Sequence, residues 1–315
     1  MDTNMQGIVI KSTGSWYTVE AVSGELYRCR IRGRLRLKGV RTTNPVAVGD
    51  KIRFEYEGAP ETMQGVITAI EPRKNYIIRK STNLSKETHI IAANIDNAFL
   101  VATLDFPPTN NEFIDRFLVT CEVYKIPATI LLNKTDLFPK DLFGEIIDDF
   151  HHTYNNAGYK VIDVSAKDGT GINEVKEMLN GKISLFSGNS GVGKSSLIKT
   201  IAPELSIRIG NISDYHHKGK HTTTFSEMFK IADNSYLIDT PGIKGFGLVD
   251  LEKGEIARYF PDLFAYVPQC RFYNCTHTHE PHCAVKEAVE KGLIPPERYD
   301  SYLKMLEDNN EKYRK

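Results

Sequence analysis

The segment GNSGVGKSS at 188–196 constrains this chain more than any other, because it contains the complete pattern Gly-x4-Gly-Lys-Ser. The apolar run KISLFS (182–187) precedes it, and the helix-forming run KSSLIKTI (194–201) follows it. A glycine-rich turn between a strand and a helix lets backbone N–H groups surround phosphates. The sequence therefore predicts a phosphate-binding loop, the P-loop, formed by Gly188, Asn189, Ser190, Gly191, Val192, Gly193, Lys194, Ser195 and Ser196.

Two P-loop side chains are expected to act on the phosphates directly. The amine of Lys194 is predicted to reach the β- and γ-phosphates, and the hydroxyl of Ser195 to bind Mg²⁺. Both roles occur in proteins that bind ATP and in proteins that bind GTP. The identity of the base therefore has to be read elsewhere in the chain.

The motif NKTD at 133–136 indicates guanine. It follows the apolar run ATILLN (128–133), at the end of a strand where open sheets present their ligand loops. Asp136 can accept hydrogen bonds from the ring N–H and the exocyclic amine of guanine, a pattern that adenine does not offer. Asn133 can bond the base edge, and the stem of Lys134 can cover the ring. The predicted base-binding residues are Asn133, Lys134, Thr135 and Asp136.

Two companion motifs support a guanine-nucleotide site. SAK follows the strand KVIDVS (160–165), and there the backbone N–H of Ala166 can donate to the guanine carbonyl. DTPG follows the strand SYLID; Asp239 is expected in the Mg²⁺ shell, and the N–H of Gly242 is expected to contact the γ-phosphate. The residues of the first motif are Ser165, Ala166 and Lys167.

The segment HTTT at 221–224 lies between the P-loop and DTPG, where a switch threonine completes the magnesium site. Thr223 is favoured for this role over Thr222. The residue after DTPG is Ile243, whose apolar side chain cannot orient the attacking water, so intrinsic hydrolysis is expected to be slow. His221 is a candidate for the catalytic role, and contact with a partner or with solvent is the alternative.

Together these motifs identify the chain as a member of the Ras-like GTPase superfamily. The usual order begins with the P-loop, whereas here NKTD and SAK come first. Runs predicted to be strands and helices alternate from residue 97 to residue 239, which indicates a doubly wound, mostly parallel sheet. The nucleotide-binding motifs therefore predict a circularly permuted GTPase.

Residues 7–70 contain about five short strand-like runs, typical of a small barrel such as an OB-fold, although an SH3-like barrel gives a similar pattern. Residues 1–80 carry 14 Lys and Arg against 8 Asp and Glu. Cations occupy alternate positions from Arg28 to Lys38, and no acid lies between residues 26 and 49. This pattern favours nucleic-acid contact over a merely solvated strand face. The six cations are Arg28, Arg30, Arg32, Arg34, Arg36 and Lys38.

Three of the five cysteines lie close together near the end of the chain. Three thiolates and one imidazole can close a tetrahedral zinc site with no open position, which is typical of a structural metal. The alternative is buried free cysteines beside exposed histidines, and His279 and His282 are spare candidates for the fourth ligand. The predicted ligands are Cys270, Cys275, His277 and Cys283.

The N-terminus lacks the basic start and apolar stretch of a secretion signal, and no apolar run is long enough to span a membrane. A cytoplasmic protein without membrane contact is therefore expected. No feature indicates self-association, so we expect a monomer.

The combined motifs resemble the small-ribosomal-subunit-dependent GTPase A family (RsgA, also called YjeQ) over nearly the whole chain. RCRIRGRLR and VGD resemble its barrel, and NKTD, SAK, GNSGVGKSS, GKHTTT and DTPG resemble its nucleotide site. The cysteine spacing resembles its zinc module. The resemblance implies a bacterial enzyme that binds the small ribosomal subunit and its rRNA, assists late maturation, and hydrolyses GTP to GDP when the subunit stimulates it.

The expected fold is a multidomain α/β protein: a circularly permuted Ras-like P-loop GTPase with an N-terminal OB-type β-barrel and a C-terminal helical zinc-binding module. The predicted domains are 1–72 for the barrel, 73–247 for the GTPase and 248–315 for the zinc module. Two alternative functions stay open. The chain can be a GTPase that acts on another RNA, or an RNA-binding protein that holds nucleotide without hydrolysing it.

Overall fold

The computed structural model of the protein describes residues 5–31, 45–58, 62–80, 88–205, 227–239 and 251–312. The chain divides into two compact units. The first comprises Met1–Ala98, Glu174–Ser187 and Ser195–Gly247, and the second comprises Phe99–Asn173, Gly188–Lys194 and Leu248–Lys315. These units are interleaved in sequence, and the three predicted domain bounds stay predictions.

A five-stranded barrel opens the first unit. Its strands are β1 (Met5–Ser12), β2 (Tyr17–Ala21), β3 (Leu26–Ile31), β4 (Lys51–Tyr56) and β5 (Gln64–Ile70). The order is β1-β2-β3-β5-β4, and β4 pairs with β1 to close the barrel. The β3–β5 pairing is parallel and the others are antiparallel. The small barrel predicted from the sequence is confirmed, and its five closed strands agree with an OB-fold.

Strand β3 shows the alternation that the sequence predicts. Tyr27 and Cys29 are buried in the barrel core, whereas Arg28 and Arg30 are exposed. The guanidinium of Arg28 lies 4.2 Å from the ring centre of Trp16, and Arg30 forms an ion pair with Glu57. The remaining cations of the predicted stripe, Arg32, Arg34, Arg36 and Lys38, lie outside the described residues.

An antiparallel strand pair follows the barrel, formed by β6 (Tyr76–Lys80) and β7 (Thr88–Ala93). From the sequence, residues 71–94 are interpreted as a linker and lead-in to the alternating strands and helices, whereas the structure forms a strand pair within them. The side-chain amide of Asn94 donates to the backbone carbonyl of Gly49 at 3.0 Å, and the N–H of Ala93 donates to the carbonyl of Val48 at 2.8 Å. The pair is therefore attached to the turn that precedes β4.

The rest of the first unit carries the strands next to the phosphate-binding motifs. Helix α3 (Ile172–Leu179) leads into β11 (Ile183–Ser187), and helix α4 (Lys194–Ile201) follows the P-loop. Strands β12 (Glu227–Ala232) and β13 (Ser235–Asp239) are antiparallel to each other, and β11 pairs with β13 in parallel. On its other edge, β12 pairs with barrel strand β1.

The second unit contains the strands and helices around the base-binding motifs. Strand β8 (Asn97–Ala102) begins at the end of the first unit, and β9 (Ala128–Asn133) lies between it and β10 (Lys160–Val164). The β9–β10 pairing is parallel. Helix α1 (Asn111–Val123) begins after Asn110, whose side chain accepts a hydrogen bond from the N–H of Glu112, and α2 (Lys140–Asn156) follows β9.

The C-terminal part of the second unit is helical, as predicted. It contains 3-10 turns at Lys253–Tyr259 and Val267–Gln269, and helices α5 (Pro261–Phe264), α6 (Ala284–Glu290) and α7 (Pro296–Lys312). Its core also includes Val119 of α1, so this region packs on a helix of the nucleotide-binding fold. The other core residues include Ile256, Phe260, Leu263, Val285, Ile294, Tyr302 and Met305.

Candidate nucleotide site and metal centre

Asn133 connects the NKTD turn with the P-loop. Its side-chain amide donates to the carbonyl of Val192 at 2.7 Å, and the residue is buried. Its Oδ1 atom is also buried and has no hydrogen-bond partner among the described residues. A buried acceptor without a partner is costly, so this atom is available to a donor that a bound ligand supplies.

Lys134 makes a second connection between the same two loops. Its backbone has φ of 65°, in the left-handed region that is unfavourable for lysine. Its amine donates to the carbonyl of Gly191 at 2.8 Å and also to the carbonyl of Phe106. These two bonds hold the side chain across the P-loop and offset the cost of the backbone conformation.

Asp136 is held in place by the SAK motif. The hydroxyl of Ser165 donates to Oδ1 of Asp136 at 2.9 Å, and the amine of Lys167 lies 3.5 Å from Oδ2. The N–H groups of Lys167 and Asp168 donate to the Ser165 hydroxyl at 3.2 and 3.3 Å. Because each carboxylate oxygen accepts more than one hydrogen bond, Asp136 keeps acceptor capacity for a ligand. Thr135 points away from the predicted base position, because its hydroxyl donates to the carbonyl of Val164 in strand β10 at 3.2 Å.

Gly193 lies where the P-loop and Asn133 approach each other. A β-carbon at this position would lie 2.4 Å from the side-chain nitrogen of Asn133, and the backbone φ is 89°. Any other residue type here would have a strained backbone and would displace either the Asn133 amide or the loop. The close packing of the P-loop against the NKTD turn therefore depends on glycine at position 193.

The sequence interpretation missed the loop that contains Phe106 and Pro107. The carbonyl of Phe106 accepts a bond from Lys134, and Pro107 lies 3.1 Å from a β-carbon placed on Gly191. The Phe106 ring is 65% exposed and stacks on Phe138. A Phe-Pro-Pro run separated by three residues from the end of a buried strand was the available signal, since loops at strand ends contribute to ligand sites in this architecture.

Several predicted site residues belong to the first unit. Ser195 and Ser196 open helix α4, and Asp239 ends strand β13. His221, Thr223 and Gly242 lie outside the described residues, as do Thr222 and Ile243.

The predicted metal ligands form one compact cluster. The ligand atoms of Cys270, Cys275, His277 and Cys283 all lie within 4.8 Å of one another. The sulfurs of Cys270 and Cys283 are 3.9 Å apart, and each lies 3.5 Å from Nδ1 of His277. Tetrahedral zinc with its usual bond lengths separates two sulfurs by about 3.8 Å and a sulfur from a nitrogen by about 3.6 Å. The cluster can hold a metal ion of that size and geometry.

Burial affects the protonation of these ligands. It raises the pKa of Cys275 to about 12 and lowers the pKa of His277, so the imidazole is kept in the neutral form that binds a metal. Thiolates in such a place need a cation. His279 and His282 are exposed and lie outside the cluster, so His277 is the imidazole placed among the thiols.

A second layer of hydrogen bonds supports the metal-ligand loop. The hydroxyl of Tyr299 donates to the carbonyl of His277 at 2.6 Å, and that of Tyr302 donates to the carbonyl of Thr276 at 2.8 Å. Burial raises the pKa of Glu280, but hydrogen bonds from Thr276 and Thr278 outweigh it and lower the pKa to about 2. The Glu280 carboxylate therefore stays ionised and stabilises the metal-ligand loop by accepting hydrogen bonds from Thr276 and Thr278.

In the described part of the chain, no helix has both the length and the apolar character needed to cross a lipid bilayer.

Comparisons with known proteins agree with this geometry. The family model described as RsgA GTPase matches residues 70–249, and the model described as RsgA N-terminal domain matches residues 6–67. The chain is 53% identical over 313 residues to a Bacteroides thetaiotaomicron protein named small ribosomal subunit biogenesis GTPase RsgA 2, covering 98% of this chain and 99% of that protein. A Phocaeicola vulgatus protein named small ribosomal subunit biogenesis GTPase RsgA is 52% identical, with the same coverage.

Two solved structures are similar along nearly the whole chain. YjeQ from Thermotoga maritima has a TM-score of 0.77 and 36% identity, covering 97% of this chain and 98% of that one. YloQ, described as a circularly permuted GTPase, has a TM-score of 0.74 and 28% identity, covering 98% of this chain and 96% of that one.

Proposed function

The chain belongs to the RsgA GTPase family and is a circularly permuted GTPase, and on this premise we propose that it assists the late maturation of the small ribosomal subunit. Two relatives that are 53% and 52% identical to this chain are named small ribosomal subunit biogenesis GTPases. The proposed reaction hydrolyses GTP to GDP and phosphate, with the subunit as the stimulating partner. Such a protein works where ribosomal subunits are assembled, in the cytoplasm, and we propose that it acts as a monomer.

Guanine recognition is assigned to the base-binding loops. The single observation that carries this assignment is Asn133, whose side chain bonds the P-loop carbonyl of Val192 and so sets the base-binding turn against the phosphate-binding loop. Asp136, oriented by Ser165, accepts from the two N–H donors of guanine. The stem of Lys134 covers one face of the ring, and the N–H of Ala166 donates to the carbonyl of the base.

Phosphate recognition is assigned to Gly188–Ser196. Backbone N–H groups of this loop and the amine of Lys194 neutralise the negative charge of the β- and γ-phosphates. This negative charge grows on the phosphate oxygens as the bond between the γ-phosphorus and its bridging oxygen breaks. Mg²⁺, when bound, supplies further charge neutralisation at the same oxygens. Ser195, Thr223 and Asp239 would hold it, and the N–H of Gly242 would contact the γ-phosphate.

Hydrolysis requires a water molecule aligned with the γ-phosphorus. Because the residue after DTPG is Ile243, the chain supplies no polar side chain at the usual position. We assign the alignment of this water to the bound state on the ribosomal subunit, with His221 as the candidate residue. If turnover stimulated by the subunit is the same in His221→Ala as in the unaltered protein, this role of His221 is wrong.

The metal centre is assigned a structural role with zinc. Its four ligands match the donor set and spacing of a closed tetrahedral site, and a closed site leaves no position for substrate. The folded module and the basic barrel are proposed to contact ribosomal RNA in the GTP-bound state. Hydrolysis then removes the contacts that depend on the γ-phosphate, and the protein leaves the subunit.

Phosphate release from GTP tests this function, measured alone and with purified small ribosomal subunits. We expect slow release alone and strong stimulation by small subunits, with none in Lys194→Ala. Large subunits and tRNA serve as matched RNA controls. If small subunits leave a slow rate of GTP hydrolysis unchanged, the GTPase activity is supported and the role on the small ribosomal subunit is refuted.

A further inference from the structure

Four successive exposed residues lie between two metal ligands in the C-terminal module. They are Arg271, Phe272, Tyr273 and Asn274, and we call this segment the aromatic loop. Tyr273 has a relative exposure of 102% and Phe272 of 40%. The Tyr273 ring is thus covered by no other described part of the chain.

The aromatic loop is firmly anchored. It lies between Cys270 and Cys275, two cysteines of the candidate metal cluster, and the N–H of Cys275 donates to the carbonyl of Phe272 at 3.2 Å. The ligand loop that follows is held by the tyrosines of helix α7. Rings on an anchored loop lose little conformational freedom when they bind, so the exposed surface is suited to recognition.

The charge around the aromatic loop favours one kind of partner. No aspartate or glutamate occurs from residue 263 to residue 279, and the guanidinium of Arg271 lies 5.7 Å from the ring centre of Phe272. An exposed aromatic ring beside a cation is the arrangement that stacks a nucleobase and neutralises the adjoining phosphate. A single exposed apolar residue needs no explanation, but two adjacent exposed rings with a cation, on a loop between two cysteines of the candidate metal cluster, do.

We propose that the aromatic loop is a binding site for one unpaired RNA base, which stacks on Tyr273 while Arg271 contacts the neighbouring phosphate. The proposal rests on the ribosomal function proposed above and adds the site and the chemistry of recognition. An unpaired base is required because the faces of paired bases are covered by their neighbours in a duplex. Stacking on tyrosine accepts any base, so the site reads strandedness and not sequence.

Trp16 is the single tryptophan of the chain, which permits a direct test with the full-length, zinc-loaded protein. In a Trp16→Phe background, Tyr273→Trp places the only tryptophan on the aromatic loop. The matched control is Phe264→Trp in the same background, because Phe264 is 44% exposed and lies in the same module outside the loop. We expect a single-stranded oligoribonucleotide to quench the fluorescence of the residue 273 probe, and the same sequence as a duplex to leave it unchanged.

Equal quenching of the two probes, or none at residue 273, would overturn the proposal. A second experiment measures the affinity of the otherwise unaltered protein for small ribosomal subunits. Tyr273→Ala is expected to weaken binding about ten-fold and Tyr273→Phe to retain it, since only the second keeps the ring. Affinity unchanged in Tyr273→Ala would also overturn the proposal. If the unaltered protein does not bind small subunits while RNA quenches the residue 273 probe, the ribosomal function fails and the RNA site stands.

Discussion

Glu20 of barrel strand β2 accepts a hydrogen bond from the amine of Lys230 in β12 at 2.6 Å, although the two residues are 210 positions apart in the chain. The hydroxyl of Tyr236 in β13 donates to the other Glu20 oxygen at 3.1 Å, and Glu20 itself is buried. Strand β13 leads directly into DTPG, and β12 follows the segment with the predicted switch threonine. The barrel is therefore joined through Glu20 to the strands that flank the predicted switches.

Glu20→Ala is expected to destabilise the protein by roughly 2 kcal/mol, because it leaves the buried Tyr236 hydroxyl without its acceptor. Thermal unfolding measures the effect. Lys11→Ala is the control, since the Lys11–Glu227 pair also joins the barrel to β12 but is half-exposed, with side chains 42% and 36% exposed, and such a pair contributes little. If both substitutions lower the thermal stability equally, the greater contribution expected of the buried Glu20 contacts is contradicted.

Gly193→Ala is expected to weaken nucleotide binding. The new β-carbon would lie 2.4 Å from the Asn133 amide nitrogen, on a backbone with φ of 89°, so either the Asn133 amide would lose its bond to Val192 or the P-loop would have to move. Equilibrium binding of a fluorescent GDP analogue measures the loss, which we expect to exceed about ten-fold. Gly144→Ala in helix α2 is the control, because nothing lies within 4 Å of its added β-carbon. Retained affinity in Gly193→Ala would show that the loop shape is not required.

Asp136→Asn is expected to change base preference from guanine to xanthine. Ser165 fixes one oxygen of residue 136, so an amide there would point its N–H₂ group at the two donors of guanine. Each mismatched donor costs about 1–3 kcal/mol, so GTP affinity is expected to fall at least about ten-fold, while xanthosine triphosphate is favoured. Competition binding with both nucleotides is the measurement. Undiminished GTP affinity would exclude Asp136 as the base-reading residue.

Metal analysis of the purified chain is expected to give one zinc per molecule. His277→Ala is expected to lose the zinc and to lower the thermal unfolding temperature, because ligand binding and folding of this module are coupled. His282→Ala is the matched control, since His282 is exposed and lies outside the cluster. If His282→Ala loses the zinc and His277→Ala retains it, His282 is the fourth ligand and His277 is not.

Local patterns explain why much of this molecule is predictable from its sequence. The P-loop and NKTD each occupy consecutive residues after an apolar strand, so the motif and its required context are read together. The alternation of Tyr27, Arg28, Cys29 and Arg30 likewise encodes which side of a barrel strand faces the core. In each case the physical requirement is local, and the structure agrees.

Contacts between distant residues leave no such pattern. Glu20 is one acid among many in the sequence, and only the pairing of β1 with β12 brings it to Lys230. The contact of Phe106 with Lys134 depends on two loops that follow different strands. Arg298 is one of 40 lysines and arginines in the sequence, yet it is buried in the C-terminal module.

Arg298 lies between two carboxylates. It donates to Asp115 of helix α1 at 2.6 Å and to both oxygens of Asp262 at 2.8 and 2.9 Å. Two buried acids therefore share one cation. Burial raises the pKa of Asp115 to about 6, and repulsion from Asp262 adds to this, although the attraction of Arg298 opposes it.

The raised pKa of Asp115 predicts a pH dependence of stability. Because the folded pKa exceeds the unfolded value, the folded state holds more protons between about pH 4 and pH 6, and the unfolding free energy falls as pH rises through that window. Asp115→Asn removes this dependence, so its melting temperature relative to the unaltered protein is expected to rise from pH 4 to pH 7. Asp148→Asn, on the exposed face of α2, is expected to show no such trend. A relative melting temperature of Asp115→Asn that falls over this range would mean that attraction to Arg298 outweighs burial, and that Asp115 is ionised throughout.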